Sequence, residues 1–111
     1  MTGLTRQQAA EAVASSFGTV ARQTHESRTY DPWEVKDREG KAWRFVYDAS
    51  IHGSRRLGLQ QVPTGDGVYK VEMNSPKLEY SELGKLQEVV RALRRAGAVV
   101  NESCGMHVHV D

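Results

Sequence analysis

The sequence predicts an α+β domain, a mostly antiparallel sheet with two helices packed on one face. Three observations predict it. Residues 5–18 and 81–97 carry apolar residues at helical spacing. Several other segments alternate apolar and polar residues with period two. Those segments have one apolar face each, which needs a helical layer to cover it.

The first helix starts at Thr5, with Gln8 three residues on in capping-box spacing. Ala9, Val13 and Phe17 form its apolar stripe, flanked by Ala10 and Ala14, and Gly18 ends it. The small residues let this helix approach a sheet closely. A short strand follows in "TVARQTH". "DPWEVKDREGKAWRFVYDAS" predicts a hairpin. Trp33 and Val35 alternate with Glu34 and Lys36; Trp43, Phe45 and Tyr47 alternate with Arg44, Val46 and Asp48. Gly40 supplies the turn between them.

Residues 51–67, "IHGSRRLGLQQVPTGDG", have no period and five Gly or Pro residues, which predicts a mobile loop. Its arginines, Arg55 and Arg56, fit a solvated segment. "GVYKVEMNSP" is the next strand, with Tyr69, Val71 and Met73 on one face and Lys70, Glu72 and Asn74 on the other. Pro76 is expected to end its ladder. The second helix is capped by Ser81 and closed by Gly97; Leu83, Leu86, Val90 and Leu93 are its stripe, with Val89 beside them. "AVV" and "GMHVHVD" supply two last strands.

The chain has 111 residues, the size of a single domain. A net charge of +1 gives no support for nucleic acid or an anionic membrane as partner. No apolar run is long enough to span a bilayer. The single cysteine, Cys104, excludes an internal disulfide and points to a reducing, cytoplasmic setting. Cys104 lacks a second cysteine for a zinc pair, and His25 and His52 have no linked spacing, so all three read as structural or surface residues.

The chemistry concentrates on the polar faces of the strands. The last strand sets His107, His109 and Asp111 opposite Met106, Val108 and Val110. Residues i and i+2 of a strand lie roughly 6.5–7 Å apart, so both imidazoles can serve one site. Two histidines are only part of a metal shell. Glu72 and Asp48 would add carboxylates, and carboxylates with one histidine favour Mg²⁺ or Mn²⁺ over zinc.

"SCGMHVHVD", preceded by "LGKLQEVVRALRRAGAVVN", resembles the amidoligases of bacteria and phages. These belong to the carboxylate–amine ligase group, with glutamine synthetase and glutamate–cysteine ligase. "GMHVH" is similar to the glutamine synthetase signature around its ATP- and metal-binding histidines. "TGLTRQQAAEAVASSFGT", "WEVKDREGKAWRFVYDASI" and "YKVEMNSPKLEYSELGKLQ" extend the resemblance over nearly the whole chain.

The resemblance implies part of a glutamine-synthetase-like catalytic fold and an ATP-dependent ligase. ATP would phosphorylate a small-molecule or peptide carboxylate, and an amine would attack the acyl phosphate, with Mg²⁺ or Mn²⁺ as cofactor. By position, Glu72 and His107 would be metal ligands. His109 would face the ATP phosphates, Asp48 and Ser50 would line the pocket, and Asp111 is a further candidate. Family members usually carry a Glu-x-Glu strand before "TGLT" and continue past "HVHVD". The expectation is therefore a partial, N-terminal copy, truncated and inactive in ligation alone. A sheet lacking its first strand would expose an edge that invites dimerisation. Two other readings stay open: a non-catalytic binding module that retains the fold, and a small histidine metal-binding protein.

Overall fold

A computed structural model describes residues 1–24, 32–49, 51, 53–99 and 106–110, with β7 described through its backbone register. The chain is α+β. Helix α1 (Arg6–Phe17) leads into β1 (Ala21–Gln23), β2 (Trp33–Lys36) and β3 (Ala42–Tyr47). Then come β4 (Ser54–Leu57), β5 (Gln60–Pro63), β6 (Val71–Leu78), helix α2 (Leu83–Ala96) and β7 (Met106–Val110). The main sheet has the order β1-β2-β3-β6-β7. Its pairs are antiparallel except the last, where β7 runs parallel to β6. That parallel pair follows from α2, which lies between the two strands in sequence and is the crossover a parallel pair requires. Among the described residues, no helix is long and apolar enough to cross a membrane.

The core is one cluster on the helical side of the sheet. Ala9, Ala10, Val13, Ala14 and Phe17 of α1 meet Val35, Trp43, Phe45, Val71 and Met73 of the strands. Val89 and Leu93 of α2 join the same cluster. Phe17 and Trp43 pack as a tilted ring pair, 5.9 Å between centroids. The capping box of α1 is formed: Thr5 Oγ1 accepts from the Gln8 amide at 3.1 Å, and Gln8 Oε1 accepts from the Thr5 amide at 3.0 Å. Gly40 turns the β2–β3 hairpin at φ +84°.

The structure departs from the sequence expectations at four points. Residues 54–63, expected to be an irregular loop, form the β4–β5 hairpin. Most of its side chains are exposed on both faces, so no period of two marks it in the sequence. Ser81 does not cap α2. It lies in a 3-10 turn, Tyr80–Glu82, and Glu82 precedes the helix, its carboxylate drawn to two lysines instead. Pro76 does not end β6. The strand runs on to Leu78 through a bulge between Asn74 and Lys77, where a missing N–H costs no ladder bond. Of "AVV", the described Ala98 and Val99 form no strand; Val99 makes an isolated bridge to Thr2, and Val100 lies outside the described residues.

A polar cluster ties the hairpin turn to α2. The Asp37 carboxylate is fully buried. It accepts from the Glu39 and Lys41 amides, from Trp43 Nε1 at 3.1 Å and from Lys85 Nζ at 3.1 Å. Lys85 also reaches Glu39 at 2.8 Å and Glu82 at 2.9 Å, and Lys41 donates to Glu82 at 2.6 Å. Burial opposes the Asp37 charge, but the donors outweigh it and hold its pKa below the ordinary 3.8. Lys41 and Lys85 draw Glu82 down to about 2. Burial disfavours the Lys85 ammonium, but hydrogen bonds to Glu39, Glu82 and Asp37 raise its pKa above 10.5.

Replacing Lys85→Met keeps the stem and strands the buried Asp37 charge. The expected loss is about 3 kcal/mol, read from urea unfolding at neutral pH. A loss below about 1 kcal/mol would show the pair to be incidental.

The same cluster sets a pH window. Depressed carboxylates contribute fully above their unfolded pKa and lose that contribution as pH falls through the folded one. A raised lysine contributes fully below 10.5 and loses it as pH rises through its folded value. The urea midpoint should therefore be flat between about pH 5 and 9, fall towards pH 2, and fall again above pH 10.5. Lys85→Met should erase the alkaline fall.

Candidate functional site

The sheet face opposite the helices carries the candidate chemistry. Strand alternation puts Trp33, Val35, Trp43, Phe45, Val71 and Met73 against the core side. The positions between them face the other way. From β1 to β6 these are Arg22, Glu34, Arg44 and Asn74, matched across the sheet by register: Arg22 with Glu34, Glu34 with Arg44, Arg44 with Asn74; in β7, His107 holds the register position beside Asn74. The next row holds Val46 beside Glu72. Arg22 and Glu34 form an ion pair at 3.7 Å.

Glu72, a half-buried residue, lies two positions from Asn74 on β6. His107 pairs with Asn74, so Glu72 and His107 hold diagonal positions on neighbouring strands of one face. Asp48 follows β3, and its amide donates to the Lys70 carbonyl at 3.3 Å, which extends the β3–β6 ladder by one row. Asp48 is therefore a diagonal neighbour of Glu72, and such neighbours lie roughly 7–8 Å apart.

His109 pairs with Lys77, beyond the bulge. It lies one repeat further from Glu72 than His107 does, roughly 7 Å along the strand. The bulge matters for this face. In β6 the buried positions run Val71, Met73, Ser75 and then Leu78, so one extra residue turns Lys77 outward beside His109. Ser50 and Asp111, the remaining candidates, lie outside the described residues, as do Cys104, His25 and His52.

The structure thus brings Glu72, Asp48 and the His107 position onto one face and sets His109 apart from them. A divalent cation needs oxygen-rich coordination, and Glu72 with Asp48 supplies carboxylates next to one histidine position. Among the described residues, no group of three His, Cys, Asp or Glu converges as a ready metal shell. Arg44 was not among the sequence candidates, yet it occupies the centre of this face, between Glu34 and Asn74. Its signal was available: it alternates with Trp43 and Phe45 on a strand that becomes central once the register is known. A separate cavity of about 510 Å³, lined by Ala12, Ser15, Glu88, Arg91 and Arg95 among others, lies between α1 and α2, in the helical layer.

A family model described as "Putative amidoligase enzyme" matches residues 1–111, the whole chain. Comparison with curated proteins gives no match, and comparison with solved structures gives none either.

The Arg22–Glu34 pair is at the solvated edge of the face, with Arg22 71% exposed. Glu34→Gln should change stability by less than about 1 kcal/mol in the same urea assay that detects Lys85→Met. A larger loss would mean that Glu34 organises the face rather than decorating it.

Proposed function

The chain belongs to the amidoligase family, and from that premise we propose that it is an ATP-dependent carboxylate–amine ligase domain. The observation that supports this reading is the placement of Glu72 and the His107 position on neighbouring strands, with Asp48 one row away. In this reading Glu72 and His107 hold Mg²⁺ or Mn²⁺. A bound divalent cation would offset the charge of ATP phosphates. His109, one repeat along β7, lies towards the nucleotide, and Asp48 with Ser50 borders the carboxylate substrate.

The chain's own contribution is positional. The β3–β6–β7 ladder fixes the spacing of the ligands, and the core beneath it keeps that spacing rigid. An amine and a carboxylate held on the same face meet without crossing the sheet. The partners in this proposal are small-molecule or peptide carboxylates and amines.

Titration of the ¹⁵N-labelled chain with Mg²⁺–ATP tests the reading directly. Amide signals of Glu72, Asn74 and His107 should shift saturably, and Glu72→Gln or His107→Ala should weaken binding at least tenfold. Unchanged spectra would favour a non-catalytic module that keeps the fold. Tight Zn²⁺ binding without ATP, lost in His107→Ala, would favour a histidine metal-binding protein instead.

A further inference from the structure

A pocket of about 630 Å³ opens at the end of this face, where the β3–β6 ladder meets the base of the β4–β5 hairpin. It is lined by Ala49, Ile51, Gly53, Pro63, Thr64, Gly65 and Lys70. The hairpin base is closed by the Thr64 amide donating to the Gly53 carbonyl at 3.0 Å. Among the described residues of that lining, Lys70 is the only charged one.

Two features make Lys70 more than a surface lysine. First, its stem is held. The stem is half-buried beside the hairpin base, and Gly53 is required there because a Cβ would lie 2.8 Å from the Thr64 carbonyl oxygen, while 3.5 Å from Lys70 Cγ is ordinary contact. A half-buried stem has lost part of its rotamer freedom before any ligand arrives. Second, its charge is uncommitted. Among the described residues no carboxylate lies within ion-pair distance of the Lys70 ammonium, although Asp48 holds the adjoining ladder position. Lys41 and Lys85, by contrast, are both tied to acids.

We propose that this pocket is a carboxylate subsite: Lys70 is the counter-ion, and Ile51, Pro63 and Ala49 cover a short apolar body attached to that carboxylate. A single ammonium with apolar walls suits a monoanion. A phosphate dianion calls for more donors and more positive charge than the described residues of this lining offer. The subsite adjoins the Glu72 row, so a molecule anchored at Lys70 extends along the open face towards Glu72. The proposal rests on the ligase reading for its biological use, but its binding chemistry needs neither ATP nor metal.

The test is an NMR titration of the metal-free chain with sodium butyrate and, separately, inorganic phosphate, at constant ionic strength. Butyrate should shift the Ile51, Gly53, Gly65 and Lys70 amides saturably. Lys70→Gln should weaken that binding at least fivefold with the spectrum otherwise native, and Gly53→Ala should weaken it by pushing the Thr64 carbonyl and the pocket wall outward. Butyrate binding should need neither Mg²⁺ nor ATP, which separates this subsite from the Mg²⁺–ATP reading. No saturable shift at these amides, equal affinity in Lys70→Gln, or tighter binding of phosphate than of butyrate would each overturn the proposal.

Discussion

The fold depends on one buried carboxylate. Asp37 sits at the β2–β3 turn with four donors around it: two backbone amides of the turn, the Trp43 indole and the Lys85 ammonium. The amides shape the turn, so β2 and β3 enter the sheet in register. The indole fixes Trp43, the largest side chain of the core. The ammonium brings the first turn of α2 to the same point. Removing this group would disconnect the turn, the core and the helix together, since a charge without its partners is costly to bury.

That junction explains why the open face can be functional. Both helices are held on one side, which leaves the polar positions of the strands on the other. Arg38 adds a second tie on the helical side: its guanidinium meets Glu88 of α2 at 3.0 Å and the Ser16 carbonyl of α1 at 2.9 Å. The Glu88 pKa is lowered, chiefly by that arginine. The strands therefore present their polar positions on a rigid backing, which is what a site built from several strands requires.

Much of this was legible in the sequence, for local reasons. The capping box at Thr5 and Gln8, the αL stops at Gly18 and Gly97, and the alternation around Gly40 are written in neighbouring residues. The family was legible too, in short motifs that keep their order along the chain. What was not legible depends on distant partners. The β4–β5 hairpin buries little, so it leaves no apolar signature. Ser81 has the right chemistry for a cap, but Lys41, forty residues away in the sequence, and Lys85 draw Glu82 into a different start for α2. The central place of Arg44 and the distance between the two histidine rows follow from register, which no single segment specifies.

The bulge in β6 has a meaning beyond its local geometry. It acts as a phase shifter. Up to Asn74 the even-numbered residues of β6 face outward, and beyond it the odd-numbered Lys77 does. β7 has no such slip, so the bulge around Ser75 and Pro76 takes up the one residue by which β6 exceeds it. Were the same residues to run on as a regular strand without the bulge, Lys77 would enter the core and Leu78 would leave it. The bulge at "NSP" is thus what keeps Glu72 and Asn74 at one end and Lys77 at the other on the same side of the sheet.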